Sequence, residues 1–294
     1  MSKKENKASQ LLNRLQTLTE SELDQLAPLI HEITQRGNRT RAARIRGIIS
    51  SLAGFSESKI DWLNLIVERF ELVHAYRQFR GDLITHKILE SFGDALLVHH
   101  CLSKESLSKD RFEYMLERAV NSSGQRAAIA PRGNPGHDIT INGEKFSLKT
   151  QADASLKLDS IHISKFMELG SGEWSNNPMH LIGLRNQFLD HLKEYERILI
   201  LRTLRKPPEP WLYELVEIPK KLLLGAKDGE LEMRMESGQN PKPGYCRVYS
   251  KDRELQFELY FDGGGERKLQ VKNLRKDLCV VHSTWEIKSS QDLL

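Results

Sequence analysis

The dipeptide Asn142-Gly143, set between two runs of alternating polar and apolar residues, is the strongest local constraint in this chain. Asn-Gly is the preferred pair for a two-residue type I′ turn, because both central positions need positive φ. With these two residues as the loop, the register follows. Ile141 lies opposite Glu144, Thr140 opposite Lys145, Ile139 opposite Phe146, and Asp138 opposite Ser147. Side chains alternate between the two faces of a strand. Ile139, Ile141, Phe146 and Leu148 therefore share one face with Glu144, and that face is expected in the core. Asp138, Thr140, Lys145, Ser147 and Lys149 share the other. Asp138 is diagonal to Lys149, and diagonal neighbours sit roughly 7–8 Å apart between Cα atoms, within reach of a long side chain. Two readings follow: the polar face meets solvent, or it presents a carboxylate and an ammonium to a ligand.

The flanking segments decide what such a hairpin packs on. Residues 8 to 120 read as helical. Leu11, Leu12, Leu15 and Leu18 keep helical spacing, and Thr19 with Glu22 forms a capping box. Further helices are expected near 40–53, 57–80, 83–101 and 110–121, the last capped by Ser108 or Asp110. "NSSGQRAAIAPRGNPG" has the composition of a loop. After the hairpin, "IHISKFMEL" (161–169) reads as a helix, and residues 180–195 as a longer amphipathic one. "RILILRTL" (197–204) and "WLYELVEI" (211–218) are apolar enough to be buried strands. Short strands are expected near 230–236, 244–250, 254–262, 266–272 and 279–287, with "DGGGE" (262–266) as a hairpin turn. This order predicts an α/β (α+β) protein: a mixed sheet flanked by helices, a helical N-terminal region over 1–80, and a β-rich C-terminal part.

Composition narrows the function classes. Of 294 residues, 29% are charged, and no apolar run approaches the roughly 18 residues that span a bilayer. No membrane association is expected, and the polar N-terminus lacks a secretion signal, which points to the cytoplasm. Cys101, Cys246 and Cys279 are too scattered for a disulfide framework or a zinc site. The net charge of +4 says little, but Arg36, Arg39, Arg41, Arg44 and Arg46 fall within eleven residues with no acid among them. Such a run either meets phosphates or forms a solvated helix face.

The residues "PGHD…SLK" resemble the PD-(D/E)xK nucleases, the superfamily that includes most type II restriction endonucleases. The resemblance covers residues 105–220, where the order of elements is similar to that family's αβββαβ core. It implies that Asp138 binds the metal and that Lys149 is the catalytic lysine, in a restriction-endonuclease-like domain over 81–294. Ser147 stands where the family usually has Asp or Glu, and a hydroxyl is a poor Mg²⁺ ligand beside a carboxylate. One branch of restriction enzymes has Ser-x-Lys here and takes its second acid from a helix. Glu113 is the first candidate for that acid and Glu168 the second. Glu113 and Glu117 lie four apart and share a helix face, which is either solvated or part of the site. Gln151, two residues after the lysine, extends the site toward DNA, and Arg39, Arg41 and Arg44 are candidates for phosphate contacts.

The resemblance thus implies a Mg²⁺-dependent type II restriction endonuclease that cleaves double-stranded DNA, acts as a homodimer, and is accompanied by a separate DNA methyltransferase. Three alternatives stand beside it: a repair or recombination nuclease of the same fold, a non-catalytic DNA-binding protein with a degenerate nuclease core, and a structural or interaction module in which the hairpin is only a hairpin. The pair His99-His100 on a helix points in two directions, and His137 lacks the cysteine pairs of a ββα-metal scaffold, so histidine catalysis is not expected.

Overall fold

A computed structural model describes residues 40–288, apart from positions 132, 135, 154, 155, 171 and 172. The leucine repeat at 11–18, the Thr19–Glu22 box, Arg36 and Arg39 lie outside the described residues. The chain divides into two compact units, residues 1–64 and 65–294. Among the described residues, no helix is long and apolar enough to cross a membrane.

In the first unit, helix α1 (Arg41–Leu52) begins at the N-cap Thr40, whose side chain accepts from Ala43 N at 3.2 Å. None of its residues is buried. Helix α2 (Glu57–Glu71) crosses the boundary between the units. It ends nine residues before the expected limit at 80, because residues 75–78 are a strand. That strand, β1 (Ala75–Gln78), pairs antiparallel with β12 (Val280–Ile287). Tyr76 lies against the bare backbone of Gly93, where an added Cβ would meet the ring at 2.4 Å. Pairing with a strand distant in sequence, and a slot for its aromatic ring, outweigh the helical pattern that precedes it.

The rest of the second unit comprises α3 (His86–Leu102), α4 (Lys109–Ser122), β2 (Ala127–Ile129), β3 (Ile139–Ile141), β4 (Glu144–Gln151), β5 (Ser160–Glu168), α5 (His180–His191), β6 (Arg197–Arg205), β7 (Trp211–Glu217), α6 (Lys220–Leu223), β8 (Glu230–Met233), β9 (Gly244–Tyr249), β10 (Leu255–Asp262) and β11 (Lys268–Arg275). Seven strands form a mixed sheet in the order β1-β12-β7-β6-β4-β3-β2, in which only β4 and β6 run parallel. The other five form an antiparallel sheet, β5-β11-β10-β9-β8. The β10–β11 connection carries Gly263, Gly264 and Gly265, as the "DGGGE" turn predicts.

The centre of the seven-stranded sheet is buried on both faces. Strand β6 shows this directly: Leu199 and Leu201 join a core with α3 and α4, while Ile198 and Ile200 join a second core with α5 and the five-stranded sheet. A continuous apolar run is what a strand covered on both sides requires. Strand β4 follows the same division. Phe146 and Leu148 enter the helical core, and Ser147, Lys149 and Gln151 occupy the face toward β5.

The segment expected as a helix over 161–169 is strand β5. Its apolar positions fit both periods over so short a run. Ile161 and Ile163 are buried on alternation, and Phe166 returns to the same core after a register shift against β11. Two β-branched residues at alternate positions and a long pairing partner decide for the strand.

Candidate active site

The hairpin forms in the register that the Asn-Gly turn dictates. Ile139 pairs with Phe146, Thr140 with Lys145 and Ile141 with Glu144, and Asn142 and Gly143 have φ of 51° and 94°. Just before β3, Asp138 N donates to Phe146 O at 2.8 Å. The Asp138 carboxylate then divides its two oxygens. Oδ2 accepts from Leu148 N at 2.6 Å and from Ser147 Oγ at 3.3 Å, replacing a backbone partner that the short β3 does not supply. Oδ1 faces a cation: Lys109 Nζ lies 2.6 Å away.

Lys109 opens α4, behind the N-cap Ser108. One turn later on the same face stands Glu113, whose Oε1 is 3.3 Å from the same ammonium. Asp138 and Glu113 therefore share one cation, with their side chains only 17% and 15% exposed. Burial pushes the Glu113 carboxyl above its usual range, and the charge of Asp138 pushes in the same direction against the pull of Lys109. Burial lowers the affinity of Lys109 for its proton, but the bonds to Asp138 and Glu113 outweigh it and leave the pKa raised.

Lys149 is buried, and its Nζ sits 5.2 Å from the centroid of the Phe166 ring. It makes no ion pair among the described residues. Burial pulls its pKa down to about 8, with the nearby Asp138 charge acting against that fall. Lys109, Lys149 and Thr150 line one side of a cavity of about 380 Å³, with Ser164, Lys165 and Met167 of β5 on the other. The polar face of β4 is thus neither a solvated surface nor a packed core: it is the wall of a cleft between the two sheets.

The other singled-out residues lie elsewhere. Glu117 accepts from Ile129 N at 3.1 Å and ties α4 to β2. Glu168 stands at the exposed end of β5 instead of on a helix, 2.8 Å from Lys165. Gln151 is buried, its oxygen accepting from Arg202 Nε at 3.1 Å. Arg41 and Arg44 are exposed on α1. His99 and His100 have both ring nitrogens hydrogen-bonded within the fold. Lys109 and Phe166 are the contributors that the sequence pattern does not single out. The i,i+4 pairing of Lys109 with Glu113 is the one local hint of the first.

Asp82, Glu217 and His282 also bring potential metal-binding atoms within 4.8 Å of one another. Arg197 fills that space: its NH2 is 2.7 Å from Asp82 Oδ1 and 2.5 Å from Glu217 Oε2. A guanidinium keeps its charge in proteins, so this group is a neutralised network that joins β6, β7 and β12.

Residues 48–287 match the family model SmaI, described as a type II site-specific deoxyribonuclease. The type II restriction enzyme SmaI of Serratia marcescens is 43% identical over 221 residues, which cover 75% of this chain and 87% of that enzyme. A solved structure described as a restriction endonuclease in complex with substrate DNA aligns with 60% of this chain and 67% of its own, at 12% identity and a TM-score of 0.29. The chain belongs to the SmaI family of type II site-specific deoxyribonucleases and is a DNA-cleaving restriction endonuclease.

Proposed function

We propose that Asp138 and Glu113 hold the catalytic divalent ion, that this ion is Mg²⁺, and that Lys149 is the catalytic lysine in hydrolysis of double-stranded DNA. The observation that carries the reading is the ammonium of Lys109 shared by Asp138 and Glu113, beside a buried Lys149 with no counter-ion among the described residues. Two half-enclosed carboxylates that already gather one positive charge fit a small hard cation. Mg²⁺ is commonly bound through one or two carboxylates, with water and substrate phosphate completing its shell. When bound, Mg²⁺ supplies charge that polarises a phosphoryl oxygen and lowers the pKa of a water.

The chain's own residues supply the rest. Lys149 donates from its ammonium to the oxygens on which charge develops as phosphorus is attacked. It acts from a site with little water, where a fixed charge is worth more than in bulk solvent. Phe166 restricts where that ammonium can point. Ser147 does not replace the missing acid as a ligand. Its hydroxyl and Leu148 N hold one oxygen of Asp138, so that the other is aimed at the cation. Glu113 supplies the second acid from the helix before the hairpin. Lys109, once displaced from the carboxylates, remains on the cavity wall as a further donor to phosphate.

The enzyme acts in the cytoplasm as a homodimer, because a palindromic DNA site is matched by a protein two-fold axis. A separate DNA methyltransferase protects the host's own sites. Phage DNA incubated with the protein should give discrete bands with Mg²⁺ and none with a chelator. A mobility shift without cleavage at any Mg²⁺ concentration would contradict the assignment of this site.

A further inference from the structure

The polar face of β4 continues past Lys149. Gln151 lies two residues on and faces the same side. It is 4% exposed, and its amide oxygen accepts from Arg202 Nε at 3.1 Å. Arg202 is fully buried. It also donates to Glu214 Oε2 at 2.8 Å and to the carbonyls of Lys157 and Ser160 at 2.5 and 2.9 Å. Arginine only donates, so it fixes the glutamine amide with oxygen inward. The NH2 group is left with no hydrogen-bond partner among the described residues, and Gln151 lines a cavity of about 210 Å³.

The rest of that wall is mostly donors. Lys157, His162 and Lys272 line it, against one acid, Asp153, which is 4.0 Å from His162. Lys272 has no ion pair among the described residues. It rests on the Tyr260 ring with Nζ 3.7 Å from the centroid, and burial lowers its pKa.

We propose that this cavity is a second phosphate subsite, which holds the DNA backbone phosphate next to the scissile one. Phosphate oxygens only accept hydrogen bonds, and the cavity offers an oriented amide NH2 and two lysines to receive them. Two residues along a strand advance about 6.7 Å, a step comparable with that between neighbouring phosphates of one DNA strand. The hold of Arg202 on two carbonyls of the wall orders the site before DNA arrives. The proposal rests on the placement of the scissile phosphate at Lys149.

Gln151→Glu tests it. The variant keeps an acceptor for Arg202, so the fold is retained, but the NH2 becomes a charged oxygen facing the cavity. Binding to a cleavable duplex is measured with Ca²⁺ in place of Mg²⁺ across a salt series. Affinity should fall about tenfold or more, and Lys157→Ala should reduce the salt slope by about 0.9, the value of one phosphate contact. A duplex carrying a neutral methylphosphonate next to the scissile position should weaken the wild-type protein by a factor similar to Lys157→Ala, with no further loss when the two are combined. Unchanged affinity and slope in both variants would overturn the proposal. So would losses that multiply independently of the methylphosphonate, which would assign the cavity to a base edge. The placement of Lys149 is tested apart from this, since Lys149→Ala reports on the chemical step and these variants on binding.

Discussion

Lys109 Nζ lies 2.6 Å from Asp138 Oδ1, nearer than any other cation described at that carboxylate, and the same ammonium reaches Glu113. The lysine stands where the proposed metal would be held, so it competes with the ion. Lys109→Met should raise divalent-ion affinity about tenfold in the absence of DNA, which corresponds to about 1.4 kcal/mol. Calorimetric titration with Mg²⁺ or Mn²⁺ checks this. An unchanged or weaker affinity would remove Lys109 from that role.

Asp138 and Glu113 should separate from Glu117 and Glu168 in the same titration. Asp138→Asn keeps an acceptor for Leu148 N and so preserves the strand edge, but it removes the charge. It should lower metal affinity by at least about tenfold, as should Glu113→Gln. Glu168→Gln, at an exposed ion pair, should leave metal affinity unchanged. A loss with Glu168→Gln equal to that with Glu113→Gln would reassign the second acid.

His100 predicts an acid-sensitive step in stability. Its Nδ1 donates to Ser103 O at 3.1 Å, since a carbonyl only accepts, so Nε2 accepts from the Tyr213 hydroxyl at 2.9 Å. Tyr213 in turn accepts from Leu107 N, which joins α3 to the start of α4. The ring is stacked on Trp211, and burial pushes its pKa down to about 4. The unfolded chain takes up the proton at about 6.5. The folded pKa is the lower one, so the stabilisation is complete above about pH 6.5 and is lost as pH falls toward 4. It amounts to about 3 kcal/mol at most. Denaturant melts at about pH 7 and about pH 5 should show a smaller loss for His100→Gln than for wild type. Equal losses would contradict the neutral-histidine network.

The parts of this molecule that can be read from sequence are those governed by neighbours in the chain. An Asn-Gly turn dictates register, so local chemistry alone puts Asp138, Ser147 and Lys149 on one face. Lys109 is not legible in that way, because its role depends on where α4 packs against a hairpin far along the chain. Helical spacing places Glu113 and Glu117 together, and only tertiary contacts tell them apart: Glu113 shares the Lys109 ammonium with Asp138, while Glu117 accepts from Ile129 N. Strand β5 is ambiguous for the same reason. Ile161, Ile163, Phe166 and Met167 satisfy either period, and pairing with β11 settles the matter.

The arginines of α1 give a separate test in the first unit. Arg41 and Arg44 are exposed, on a helix with no buried residue. If both touch phosphate, the double substitution to alanine should lower the salt slope of DNA binding by about 1.8, at about 0.9 per contact. An unchanged slope would make them a solvated helix face.

In the proposed mechanism Lys149 acts on the charge that develops during phosphodiester hydrolysis. The most direct measurement is single-turnover cleavage by Lys149→Ala at saturating protein, alongside its DNA affinity measured with Ca²⁺. Cleavage should be slower by about a thousandfold, with affinity within about threefold of wild type, because the interaction is made mainly in the transition state. Cleavage at the wild-type rate by a folded, DNA-bound Lys149→Ala protein would contradict it.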